Sequence, residues 1–171
     1  AVTRALWDTA LTSSMRNQLC NPLGLETDQA GRLLAFWAGL HDMGKASPAF
    51  QRLYEPAKTN LEEKGLAFPR IFMRKACYHG TITARTLGSA LEKCTNLAQH
   101  PAARIARALG GHHGSWPIPG EMRKIGSTQL GDDEWYALRH RLTDDLVYLF
   151  HPPQVESLGE SLVEENTFLT L

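Results

Sequence analysis

Apolar residues recur at spacings of three and four through every long segment of this chain, and no run settles into the period-two alternation of a half-buried strand. From Thr27, a plausible cap, Leu33, Leu34, Trp37, Leu40 and His41 keep to one helical face until Gly44 ends it. From Asp132, another cap, Trp135, Leu138, Leu142, Leu146 and Phe150 line one side of a longer helix. Such patterning predicts an all-α, compact helical fold.

The segments between follow the same logic. Val2, Leu6, Ala10 and Leu11 predict a first helix that continues until "NPLG" at 21–24 breaks it. In "SPAFQRLY", serine then proline opens a short helix, whereas the polar stretch 55–70, with Pro56, Gly65 and Pro69, reads as an exposed loop. Helical spacing returns over 72–93, and a shorter helix from Pro101 to Leu109 is stopped by Gly110 and Gly111. Residues 112–131 read as punctuated loop, and a last helical pattern begins near Val155.

With 171 residues, 43% of them hydrophobic, the chain is long enough for one buried core. Eighteen basic and eighteen acidic side chains cancel, so a polyanion would have to be held by a local site rather than by an overall field. No stretch approaches the roughly 20 apolar residues of a membrane span, and no leader pattern is present. This predicts a soluble, cytoplasmic protein without a membrane partner. Cys20, Cys77 and Cys94 are odd in number and widely spaced, which suits reduced, packed thiols rather than a disulfide framework. The chain begins at Ala1 and stops at Leu171 within a periodic segment, and we expect it to be a fragment of a longer protein.

The stretch "GLHDMGKAS" at 39–47 admits two chemistries. Gly39, Gly44 and Lys45 occupy the positions of a phosphate-cradling G-x-x-x-x-G-K loop, but that loop needs a buried strand before it and a hydroxyl after the lysine. Here a helix precedes it and Ala46 follows. The alternative is that His41 and Asp42 are metal ligands, which demands further donors elsewhere. His79 in "CYHGTITAR" and His112–His113 in "LGGHHG" supply them, each at a helix boundary. Taken singly, the His-Asp pair would be a dipole-stabilised surface pair, His79 a hydrogen-bonded, half-buried histidine and the histidine pair a solvated turn; together they favour a metal site. His100, His140 and His151 lack such company and read as surface residues.

The string "HDMGKASPAFQ", followed by His79 and then "GGHHG", resembles the HD nuclease domain of the CRISPR-associated helicase-nuclease of type I interference systems, a branch of the HD phosphohydrolase superfamily. The motifs span roughly residues 33–114, and the proline and aromatic-Gln pair after the HD-x-G-K core make the match more specific than a bare His-Asp pair. The resemblance implies that residues 1–171 form a single HD-type domain that holds two metals and cuts single-stranded DNA. It further implies a helicase, fused or separate, and a CRISPR RNA-guided surveillance complex as partners. By position, Asp42 would bridge the metals, His79, His112 and His113 would complete one of them, and His41 would bind the other. The family's second ion also takes a histidine from the first helix and a late aspartate; no histidine precedes His41 here, and Asp144 and Asp145 lack the expected setting. Those ligands are expected outside the chain, with a degenerate site as the alternative.

Imidazole-rich donors suit iron, manganese, nickel, cobalt or zinc over magnesium, and such ions support hydrolysis of a phosphodiester. Asp42 and Lys45 are the candidate catalytic residues: Lys45 is placed either to meet a phosphate oxygen or to stand solvated at a helix end. Trp116 reads as a loop anchor before a base-stacking platform. Two other functions share these residues, namely an HD phosphohydrolase acting on a nucleotide or cyclic phosphate, and a non-catalytic helical docking module.

Overall fold

The computed structural model describes residues 2–70 and 78–155, and among these every regular element is helical. The order is α1 (Val2–Thr9), α2 (Ser13–Leu23), α3 (Thr27–Leu40), α4 (Pro48–Gln51), α5 (Glu55–Glu63), α6 (His79–Thr95), α7 (Gln99–Gly110), α8 (Pro119–Met122), α9 (Ser127–Leu130) and α10 (Asp133–Phe150). A 3-10 turn, Met43–Lys45, follows α3.

Helix α3 runs through the middle of the core. It buries Ala30, Leu33, Phe36, Trp37 and Leu40 against Trp7 of α1, Cys20 and Leu23 of α2, Leu87 and Leu91 of α6, and Ile105 of α7. Burial on several sides is why its sequence is more apolar than a surface helix needs. Gly31 lets the Trp7 indole lie on the α3 backbone, since a Cβ there would stand 2.7 Å from the ring. Helix α10 packs across α3 through Leu146 and Phe150, while its Asp132 cap accepts the backbone N–H of Trp135. The fully buried Trp135 donates its indole N–H to the Ala67 carbonyl.

Several expectations are corrected. The first segment is two helices rather than one: the chain breaks after Thr9, Thr12 caps α2 through Met15 N–H, and Pro22 sits inside α2, which ends at Gly24 in the left-handed region (φ 62°). The region 55–70 is not all loop. Pro56 starts α5 from its first turn, where proline lacks only an N–H that would be unpaired anyway, and Lys58 pairs with Glu55 (2.9 Å) and Glu62 (3.8 Å). That helix buries no residue, so apolar spacing could not announce it. The 112–131 loop contains the single turns α8 and α9. Helix α3 starts from Glu26, one residue before Thr27, with the Gln29 side chain returning to the Glu26 N–H (3.2 Å). The helix expected from residue 72 lies partly outside the described residues, as do Cys77 and the segment after Val155. Cys20 is buried and Cys94 half-buried, both as free thiols. Among the described residues no helix is long and apolar enough to cross a membrane.

Candidate metal centre

His41 ends α3 in helical geometry, and its Nδ1 faces the Ala38 carbonyl one turn back. A carbonyl can only accept, so that nitrogen carries a proton, and it is Nε2 that faces Asp42 and is left to ligate when the ring is neutral. Asp42 follows, and the 3-10 turn then carries Gly44 beneath the first turn of α6. A Cβ on Gly44 would lie 1.9 Å from the His79 carbonyl oxygen and 2.7 Å from Thr83 N. The fully buried Thr83 hydroxyl staples the turn, accepting the Gly44 N–H (2.8 Å) and donating to the His41 carbonyl (3.2 Å). Thr83→Val should leave that buried N–H unpaired and cost about 1–3 kcal/mol, read as a lower denaturation midpoint with an unchanged m-value.

The other histidines are brought in by a second close approach. Gly80 and Gly110 face each other backbone to backbone: a Cβ on either would stand 2.3–2.4 Å from the other's carbonyl oxygen. Helices α6 and α7 therefore touch where α6 begins at His79 and where α7 ends two residues before His112. His112 gives Nδ1–H to the Leu109 carbonyl (2.7 Å), which again leaves its Nε2 as a lone pair.

The five predicted residues converge. The Asp42 Oδ1 lies 3.1 Å from His79 Nε2 and 3.4 Å from His112 Nε2, while Oδ2 lies 3.2 Å from His41 Nε2 and 2.7 Å from Lys45 Nζ. His79 Nε2 is also 3.3 Å from His112 Nε2 and 3.1 Å from His113 Nε2. Two donor groups close to within 4.8 Å, His79–His112–His113 and His41–Asp42–His112.

This donor set fits a divalent cation. Three ring nitrogens meet at hydrogen-bond distance, yet a single proton can serve only one pair at a time. Asp42 Oδ1, buried beside them, has no aligned hydrogen-bond donor among the described residues. A cation would satisfy all four atoms together. The protonation states suit one as well. Burial pushes the Asp42 carboxyl upward, but the Lys45 hydrogen bond and the charges of His41, Lys45 and His79 outweigh it and hold the group below the ordinary carboxylate value. Burial, assisted by Lys45, His112 and His113 against the pull of Asp42, lowers His79 below an ordinary imidazole. At neutral pH the carboxylate is charged and the ring neutral, the forms that ligate.

Lys45 Nζ is paired with Asp42 Oδ2 and stands 5.7 Å from the centroid of the Phe50 ring, which packs on His79. Trp116 is half-buried against Gly111, the position of a loop anchor. His100 and His151 are exposed, but His140 is half-buried and packed on Tyr136, so it is no plain surface residue. Of the late acids, Asp145 lines the cavity beside Asp42 and Lys45, though outside the two close donor groups, and Asp144 does not. Sequence reasoning places Thr83 on a core-facing side of its helix and Gly110 at a helix end, but not the Thr83 staple or the Gly80–Gly110 contact. The His-Gly step at the start of α6 and the glycine ending α7 were the available signals for the helix contact.

A helical domain that gathers a His-Asp pair and three further histidines at helix ends is of the HD type. The match to a family model makes the class specific: residues 1–168 fit the Cas3 HD domain, and the chain belongs to that family. It is 32% identical over 138 residues to the CRISPR-associated endonuclease/helicase Cas3 of Thermus thermophilus, a match covering 80% of this chain and 15% of that protein. A crystal structure described as a CRISPR-associated protein superposes with a TM-score of 0.79 at 33% identity, covering 91% of this chain and 18% of the other. The Thermus thermophilus Cas3 HD domain, crystallised in the presence of Ni2+, superposes with a TM-score of 0.65 at 24% identity, covering 98% of this chain and 64% of that one. The likeness at 24% identity speaks for the fold alone.

Proposed function

We propose that this domain is a metal-dependent nuclease that hydrolyses phosphodiester bonds of single-stranded DNA in cytoplasmic CRISPR interference, acting with a helicase and an RNA-guided surveillance complex. The observation that carries the reading is the division of Asp42, whose Oδ1 faces the His79–His112–His113 group while Oδ2 faces His41. A carboxylate so placed can bridge two cation positions. A divalent transition metal held there supplies Lewis acidity and lowers the pKa of water, the chemistry a phosphodiester hydrolase needs. The Cas3 membership and the endonuclease/helicase name of the Thermus relative support the same reading.

The protein's own contribution is positioning. Ala38 and Leu109 carbonyls hold His41 and His112 in the tautomer that presents Nε2. Lys45 brings a positive charge to the edge of the site, where it can exchange Asp42 for a substrate phosphate oxygen. A groove of about 720 Å³ runs past His79 and His113, lined by Phe50, Leu53, Tyr78 and Pro117, with Tyr78 69% exposed. Aromatic groups along an open groove suit stacked bases of a single strand better than an enclosed nucleotide.

The two donor groups share His112, so completing one ion depletes the other. Titration calorimetry with Mn2+ or Ni2+ should show one tight site per chain, formed by Asp42, His79, His112 and His113, with His41 too poorly supported to hold a second. Two tight sites would point to further donors, Asp145 first. On the same sample, added metal should give weak cleavage that prefers single-stranded DNA to duplex. Efficient hydrolysis of free nucleotides with DNA untouched would instead establish the nucleotide phosphohydrolase reading.

A further inference from the structure

Across Met43 from the metal centre lies a cavity of about 190 Å³ between α6 and α10, and none of the five metal-centre residues lines it. Its polar wall is Arg85, Thr86 and Ser89 from α6 and Tyr136, Arg139, His140 and Thr143 from α10, over an apolar floor that includes Leu87 and Leu130. Among the described residues no acidic side chain lines it. The cavity is therefore basic on both sides, within a chain whose overall charge is zero.

Arg139 forms the buried part of the wall, only 7% exposed. One terminal nitrogen, Nη1, donates to the Ala46 (2.9 Å) and Leu130 (2.8 Å) carbonyls. Those bonds orient the guanidinium without neutralising it, and among the described residues neither Nε nor Nη2 makes a hydrogen bond and no carboxylate pairs with the group. Burial lowers its pKa, with Tyr136 acting in the opposite sense, but a guanidinium stays charged at any physiological pH. Neither of the two unbonded nitrogens is sealed from solvent, so the group offers positive charge and free N–H donors that an anion entering from solvent can meet. Arg85, exposed at the mouth, likewise has no hydrogen bond or ion pair among the described residues. His140, braced by Tyr136 with ring centroids 4.2 Å apart, adds a third nitrogen donor.

The hydroxyls narrow the choice further. Thr86 and Thr143 already donate to the Ile82 and Arg139 carbonyls, so they offer only oxygen lone pairs to a ligand. Recognition falls to two planar guanidiniums and an imidazole, with the Tyr136 phenol as a further donor in the lining, a set that matches the tetrahedral oxygens of a phosphate. The depth of Arg139 favours a group at the end of a molecule, because a phosphodiester within a continuous strand has substituents on both sides. We propose that the α6–α10 cavity binds a terminal, dianionic phosphate, either inorganic phosphate or the phosphate end of a nucleotide or oligonucleotide, held by Arg139 and Arg85. This site is separate from the proposed nuclease centre and does not depend on it.

The test uses the metal-free chain, with binding of inorganic phosphate followed by calorimetry and by backbone amide shifts. We expect saturable 1:1 binding with shifts at Arg85, Ser89 and His140, and at least a tenfold loss of affinity in Arg85→Glu. Arg141→Glu, an equal charge change on the exposed side of α10, should alter affinity less than twofold. Because Arg139 also braces two carbonyls, the decisive variant is the exposed Arg85, with circular dichroism confirming its fold. A 5′-phosphorylated oligonucleotide should bind where its unphosphorylated twin does not, and its affinity relative to inorganic phosphate identifies the source of the phosphate. No saturable binding, equal losses in Arg85→Glu and Arg141→Glu, or equal binding of the two oligonucleotides would overturn the proposal.

Discussion

Asp42→Ala is expected to abolish both metal binding and DNA cleavage while leaving the helical fold intact. Both carboxylate oxygens are engaged by the site: Oδ1 faces His79 and His112, and Oδ2 faces His41 and Lys45. Removing them leaves four imidazoles with no anion among them and a lysine free to repel a cation. The loss of metal affinity should exceed the roughly 10–100-fold that follows from deleting an outer partner of a ligand. The fold should survive because no buried apolar contact depends on this side chain, and its hydrogen bond to Lys45 is partly solvent-exposed. Asp42→Asn sharpens the test, since it keeps the shape and one oxygen but removes the charge. If either variant retained tight Mn2+ or Ni2+ binding by calorimetry, Asp42 would not be the bridging ligand and the proposed site would have to be redrawn.

Gly44→Ala should have the largest effect on stability. The added methyl would sit 1.9 Å from the His79 carbonyl oxygen and within 2.8 Å of two further backbone atoms of α6. Those neighbours cannot rotate away as a flexible side chain would, so α6 must move as a body or the 3-10 turn must unwind. Either response exceeds the ~1–3 kcal/mol of ordinary overpacking and pulls Thr83 from the Gly44 N–H. We expect a fall in thermal midpoint of more than 10 °C or recovery only as insoluble protein, since 1 kcal/mol shifts a domain of this size by roughly 2–4 °C. A variant with wild-type stability and intact metal binding would mean that α6 does not rest on this turn. The same glycine would look like a phosphate-loop residue in sequence; its structural role is to let another helix come into backbone contact.

Helices with a buried face were legible in sequence. The spacing of Leu33, Trp37 and Leu40, and of Trp135, Leu146 and Phe150, reports a face turned towards a core, which is why α3 and α10 emerge with nearly correct bounds. Helix α5 stayed hidden for the converse reason: it buries nothing, and its support comes from proline in the first turn and from charge pairs. The break between α1 and α2 was missed because Thr12 caps by a single hydroxyl while the apolar spacing runs across it.

The candidate site divides along the same line. Sequence alone determined which donors exist and that they fall at helix ends, since "HDMGK", His79 and "GGHHG" can be read from residue identity and flanking glycines. Only the tertiary structure decided that they meet. Their convergence rests on Gly44 beneath α6, on Gly80 against Gly110, and on Thr83 tying the His41 carbonyl to the Gly44 N–H. None of these contacts has a period or a spacing, because each joins atoms about 30 to 40 residues apart. The basic cavity around Arg139 was invisible for a related reason. One arginine among many in sequence becomes a distinct chemical group only when folding buries it without a carboxylate partner among the described residues, and burial is a property of the assembled helices rather than of any one of them.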